Sequence, residues 1–194
     1  GQGRFAVVTN LRGYGAPLPG RTSRGALVSG LLDGNPPFDQ VDKVELGGFN
    51  PFNLIFADRE EAWFLSNRPG PSYSRLAPGI YGLSNGALDE PWPKTLRLKA
   101  HVLDWIVKGN RRPEALLDAL GDEQVPDAGI VPALPSEVLQ EPALSPIFIR
   151  NSVYGTRCST VVAVDDQGSG VIVERRYDAA GRRTGETALS FSWP

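Results

Sequence analysis

The sequence predicts an α+β protein with mostly antiparallel sheets and helices packed outside them. Three patterns carry that expectation. Apolar runs of strand length alternate with turn residues in the first third. Apolar residues recur at helical spacing over residues 24–32 and 93–108. The last third alternates with period two between Gly-containing turns.

Gly1-Gln2-Gly3 is a turn that feeds the apolar run Phe5-Ala6-Val7-Val8, which ends in Thr9-Asn10. A turn feeding such a strand is typical of the second half of a hairpin. Met is absent from the sequence, so the chain is expected to be the remainder of a longer protein whose first strands precede Gly1. Residues 11–20 form a Gly/Pro-rich loop. Ser23 suits the N-cap of a helix carrying Leu27, Val28, Leu31 and Leu32 on one side, and Gly34 suits its left-handed stop. A short helix is expected around 41–46. Residues 52–58 and 62–67 read as a hairpin around Arg59-Glu60-Glu61.

Residues 80–83 read as a short strand. The segment then crosses into a helix through Ser84-Asn85, Pro91-Trp92-Pro93 and Lys94. Pro93 fits the first helical turn, where its missing N–H costs little. Leu96, Val102, Leu103, Ile106 and Val107 form the apolar stripe over residues 93–108. A second helix is expected over 113–120, stopped by Gly121. The Pro-rich residues 124–146 read as a surface excursion, with a helical turn near 136–139. Strands are expected at 147–149, 158–164, 171–177 and 187–193, with turns at 165–168 and 178–181. No repeat interrupts this order, and the whole of residues 1–194 is expected to form one domain.

Composition narrows the class. The 194 residues are 41% hydrophobic and 22% charged with net charge −2, which suits a globular domain and gives no basic face for nucleic acid. A single Cys, Cys158, leaves no internal disulfide framework and fits a reducing, cytoplasmic setting. No apolar run approaches the roughly 20 residues that span a bilayer. No signal-peptide pattern is visible.

One His and one Cys do not make a zinc site, and no Gly-rich phosphate loop is present. His101 falls on the long helix beside the apolar stripe, away from any strand-end Ser, so a Ser–His–acid triad is not expected. Cys158 is expected to be a buried small hydrophobe. What remains is polar residues at predicted strand ends: Thr9 and Asn10, Ser66 and Asn67, Ser84 and Asn85, Thr156 and Arg157. Amides and a guanidinium gathered at one sheet end can orient a nucleophile and stabilise an oxyanion, though they supply no nucleophile. Alternatively each caps its own strand, and Asn85 shapes a turn.

Several segments together resemble one family. They are Gly3-Arg4-Phe5-Ala6-Val7-Val8-Thr9-Asn10, Ser23-Arg24-Gly25, Gly48-Phe49-Asn50 with Asn53-Leu54, Ser66-Asn67-Arg68, Leu83-Ser84-Asn85 with Leu88-Asp89 and Pro91-Trp92-Pro93-Lys94, and Tyr154-Gly155-Thr156-Arg157-Cys158-Ser159-Thr160. The pattern resembles the NRDE family, also called the transport and Golgi organization protein 2 family, along nearly the whole chain. Members begin with Met-Cys and carry an Asn-Arg-Asp-Glu motif soon after, neither of which is in this sequence.

The resemblance implies a four-layer αββα sandwich of the N-terminal-nucleophile hydrolase type. In such enzymes an N-terminal Cys supplies the thiol and its own amine as base. The related bile-salt hydrolases and penicillin V acylases place an Arg, an Asp, two Asn residues and a later Arg around it. By motif, Asn10 and Asn85 correspond to those Asn residues and Arg157 to the later Arg. Cys158 is internal and has no free amine, so this chain alone is expected to lack hydrolase activity.

The family is also linked to haem trafficking, to lipid and acyl-CoA metabolism, and to Golgi and mitochondrial organisation. Two expectations follow from the resemblance. One is a protein that binds and traffics a small molecule, haem or an acyl metabolite, with haem as a ligand rather than a required cofactor. The other is an amide or thioester hydrolase whose nucleophile lies in the missing N-terminal segment.

Overall fold

Residues 11–51 separate the first two paired strands, and a helix and a loop carrying the buried Val44, Leu46 and Phe49 fill that interval. The computed structural model describes residues 3–124, 146–150 and 154–193. They divide into two compact units, one holding residues 3–79 and 83–88, the other residues 80–82 and those from 89 onward. Both combine helices with antiparallel strands, so the chain is an α+β protein.

The first unit is built on four strands: β1 (Phe5–Asn10), β2 (Phe52–Ala57), β3 (Ala62–Ser66) and β4 (Ser72–Leu76). They pair antiparallel in the order β1-β2-β3-β4. Helix α1 (Arg24–Asp33) starts at Ser23, whose hydroxyl accepts the Gly25 N–H, and stops at Gly34 in the left-handed conformation, φ 64°. Only Gly adopts that conformation without a steric cost from Cβ.

Leu27 and Leu31 of α1 lock into a core with Val44, Leu46, Phe49, Phe52, Leu54, Phe56 and Leu65. Each such side chain taken fully from water stabilises the fold by about 1.5–3 kcal/mol. The helix expected over 41–46 is a single 3-10 turn, Val41–Lys43, because Val44 and Leu46 leave it to enter this core.

Strand β4 was not expected from the sequence. Residues 80–83, expected as a strand, are not one. In the second unit, Gly82 donates its N–H to Asp89 Oδ1 (2.7 Å), and the Asp89 N–H donates to Gly82 O (2.8 Å). Both main-chain groups of Gly82 are thus taken by a local clasp instead of a neighbouring strand.

The second unit holds α2 (Pro93–Val107), α3 (Glu114–Ala119) and a meander of β5 (Cys158–Val164), β6 (Ser169–Tyr177) and β7 (Arg183–Ser192). The two turns of the meander are Asp-capped. Asp165 Oδ1 accepts from the N–H groups of Gln167 and Ser169, and Asp178 Oδ1 from those of Ala180 and Arg182. Leu117 of α3 packs on Val161 and Val173.

One expectation fails in this unit. Residues 147–149 are not a strand: the Phe148 N–H goes to Asp122 O, and the Ile149 N–H to Thr156 Oγ1. Of the α2 stripe, Leu96, Leu103, Ile106 and Val107 are exposed. Apart from Gln124 and Pro146, the excursion expected over 124–146, including its helical turn at 136–139, lies outside the described residues. So do Gly1 and Gln2 of the expected turn.

Candidate functional site

At its end β1 places Asn10 opposite Phe52 of β2. The chain then runs on beside β2's approach, where the Leu11 N–H donates to Pro51 O (3.2 Å). The next residue turns to a different partner: the Arg12 N–H donates to Asn85 O (3.0 Å). Asn85 answers with its side chain, whose Nδ2 donates to Asn10 O (2.8 Å). From β2, Asn53 Nδ2 donates to Gly86 O (2.6 Å). Three hydrogen bonds therefore fix residues 85 and 86 at the end of β1.

Asn53 lies within an apolar strand and is 1% exposed, so its amide must be paired to be tolerated there. Asn85 is half-buried and Asn10 exposed. Among the described residues, Asn85 Oδ1 and the Asn10 side chain enter no hydrogen bond. The result is a strand end carrying two amides, that of Asn85 held in place by its bond to Asn10 O, with donors and acceptors left over among the described residues. Such groups match a carbonyl or carboxylate and do not titrate.

Asn67 and Ser66 have structural partners. Asn67 Oδ1 accepts the Phe52 N–H (3.0 Å), and its Nδ2 donates to Leu46 O (3.2 Å) and Phe49 O (3.1 Å). It bolts the loop before β2 to the end of β3. The Ser66 hydroxyl reaches Arg68 O (3.2 Å). Thr9 stands opposite Asn53 in the strand register, and its buried Oγ1 has no hydrogen-bond partner among the described residues.

In the second unit, Arg157 precedes β5 and is exposed. Its main-chain oxygen accepts the Tyr177 N–H (2.9 Å). Cys158 is exposed, contrary to the expectation of a buried side chain. The alternation of β5 explains this, because it turns Ser159 and Val161 inward and Cys158 outward. His101 is exposed on α2. Among the described residues, no group of three or more His, Cys, Asp or Glu side chains could hold a metal ion, and no helix is long and apolar enough to cross a membrane.

The Asp of the Leu-Asp motif has its own local task. Asp89 holds φ 58°, unusual for a residue with a Cβ, and accepts from the Gly82 N–H and from Lys99 Nζ, both at 2.7 Å. Burial pushes its carboxyl pKa up, but hydrogen bonds from Lys99 and Gly82 and the Lys99 charge outweigh that and leave it below the ordinary value.

Of Asn10, Asn85 and Arg157, to which the sequence points, the structure brings Asn10 and Asn85 together in the first unit, and Arg157 belongs to the second. Asn53 is not among those three. The signal was there, since an Asn among Phe52, Leu54, Ile55 and Phe56 needs a polar partner from elsewhere in the chain.

Comparison with known proteins agrees along the chain. The family model described as Transport and Golgi organisation 2 matches residues 1–179. The chain is 33% identical over 192 residues to the Transport and Golgi organization protein 2 homolog of Homo sapiens, covering 90% of this chain and 68% of that protein. Against the Mus musculus homolog the identity is 31% over 194 residues, and against the Bos taurus homolog 34% over 196 residues, with the same shares covered. The extent of the family match, together with relatives above 30% identity, shows that this chain belongs to the Transport and Golgi organisation 2 family.

Proposed function

We propose that the chain binds and hands on a small molecule bearing a carboxylate or carbonyl, haem or an acyl metabolite, on an αββα scaffold of the N-terminal-nucleophile type. The setting proposed is the cytoplasm. The observation that carries this is the amide pair at the end of β1: Asn85 is fixed by its bond to Asn10 O, while its Oδ1 and the Asn10 side chain stay uncommitted among the described residues. Amide N–H groups pair well with a haem propionate, an acyl carbonyl or a thioester oxygen. Arg157 belongs to the second unit, where its exposed guanidinium suits a carboxylate or phosphate.

The experiment is a titration of the full-length protein with hemin, followed in the Soret band, and with a long-chain acyl-coenzyme A, followed by calorimetry. Saturable binding of one of them at micromolar concentration is expected. Absence of saturable binding of both would refute the reading.

A second reading, amide or thioester hydrolysis, draws on the same amide. A side-chain N–H held in place before the reaction is the type of group that stabilises an oxyanion. This reading needs a nucleophile that the amides do not supply. A thiol-directed activity probe on full-length protein tests it. Labelling of an N-terminal Cys, with loss of substrate turnover, would favour hydrolysis over trafficking.

A further inference from the structure

We infer that Asn53 is the positioning residue of this site, setting where the Asn85 amide points; the inference rests on reading Asn85 as a ligand contact. The geometry carries it in three steps. First, the Asn85–Gly86 main chain is held at two successive carbonyls. Asn85 O accepts from the Arg12 N–H (3.0 Å) and Gly86 O from Asn53 Nδ2 (2.6 Å). One such bond leaves a peptide free to swivel about it, whereas two on consecutive residues fix its orientation.

Second, the Asn53 donor comes from β2, which is paired on both sides, with β1 and with β3. Arg12, by contrast, lies past the end of β1. Asn53 therefore ties the segment to a strand held from both sides. Third, Asn53 sits where an apolar residue would otherwise pack, between the fully buried Phe52 and Leu54. A buried amide at such a place costs free energy unless its bond is made, and this bond reaches 33 residues along the chain to Gly86. With the main chain of residue 85 fixed from β2, the Asn85 side chain is left within reach of Asn10 O, and its remaining N–H and Oδ1 are held in one direction.

The test combines Asn53→Leu, which keeps the bulk and removes the donor, with Asn85→Ala and the double variant. Hemin and the acyl-coenzyme A serve as probes. Hydrogen exchange by mass spectrometry should quicken at least tenfold in residues 83–88 of folded Asn53→Leu, while β2 and β3 keep their protection. Probe affinity should fall as far in Asn53→Leu as in Asn85→Ala, and the double variant should lose no more than either single one. Unchanged exchange in residues 83–88, or fully additive losses, would overturn the inference.

If Asn85→Ala leaves affinity intact, the ligand reading fails, while the exchange measurement still decides the role of Asn53. Should Asn53→Leu not fold, the wild type suffices. A scalar coupling across the hydrogen bond from Asn53 ¹⁵Nδ2 to Gly86 ¹³C′ is expected in its NMR spectrum, and a missing coupling would sink the proposal.

Discussion

The side-chain amide of Asn85 donates to the main-chain oxygen of Asn10 at 2.8 Å, joining residues 75 apart in sequence. The bond uses one N–H of Asn85 and leaves the other, with Oδ1, uncommitted among the described residues. A purely structural strand-end Asn would spend its whole amide on the backbone, as Asn67 does through both Oδ1 and Nδ2. Asn67 is thus a pin, and Asn85 a candidate contact.

Asn67→Ala should be among the most destabilising single changes in the chain. It strips partners from the buried Phe52 N–H and from the Leu46 and Phe49 carbonyls. Each orphaned group costs roughly 1–3 kcal/mol, less whatever water can recover. A loss of about 3 kcal/mol or more by chemical denaturation is expected. A loss below about 1 kcal/mol would show that the loop before β2 holds without Asn67.

Gly82→Ala should destabilise the second unit. A Cβ at Gly82 would overlap Thr95 Cγ2 on α2, and Thr95 is itself buried. Overpacking of this type costs about 1–3 kcal/mol. Gly82→Ala combined with Thr95→Ser, which removes the obstructing methyl, should recover most of the loss in thermal melts. No recovery would place the cost elsewhere.

The Asp89 carboxylate makes a pH prediction. Its folded pKa lies below the ordinary Asp value, so its contribution is complete above that ordinary value and disappears as pH falls through the folded one. Asp89→Asn keeps a side chain tolerant of positive φ but loses the ion pair with Lys99. The variant should melt a few degrees lower than wild type at pH 7, and the difference should narrow once pH falls below about 4 and close below the folded pKa. The pair is partly exposed, so the effect is modest and should shrink in high salt. A melting difference that stays constant from pH 7 to pH 3 would exclude the carboxylate as its source.

Thr9→Val is the opposite type of change. The Thr9 hydroxyl is buried without a partner among the described residues, and Val has nearly the same shape. Removing an unpaired buried polar group should leave stability unchanged or raise it by up to about 1 kcal/mol. A loss above about 1 kcal/mol would reveal a partner that Thr9 holds in solution.

The local rules of the sequence carried much of this fold, and where they failed, pairing over distance decided. Ser23 and Gly34 marked α1 to the residue, because a cap and a left-handed stop are local chemistry. Strand β5 was equally legible from its alternation. Strand β4 was not, since Ser72, Ser74 and Arg75 are exposed and only its pairing with β3 makes it a strand. Residues 80–83 and 147–149 failed for the opposite reason. They are apolar enough for strands, but Asp89, Asp122 and Thr156 take their main-chain groups.

The site divides in the same way. Asn10 and Asn85 were reached through sequence motifs, while the bond between them depends on a crossing that no local pattern records. Asn53 was visible as an anomaly in an apolar strand, but its partner, Gly86, was not.

The account stands most directly on the probe affinity of Asn85→Ala, measured beside its melting temperature, with hemin and the acyl-coenzyme A as probes of the full-length protein. Loss of the single bond to Asn10 O should cost about 1 kcal/mol of stability, a shift of only a few degrees. Affinity for the bound probe should fall tenfold or more, because the ligand loses an amide held in place for it. An affinity within twofold of wild type in a folded Asn85→Ala protein would contradict the central claim and leave Asn85 a structural pin like Asn67.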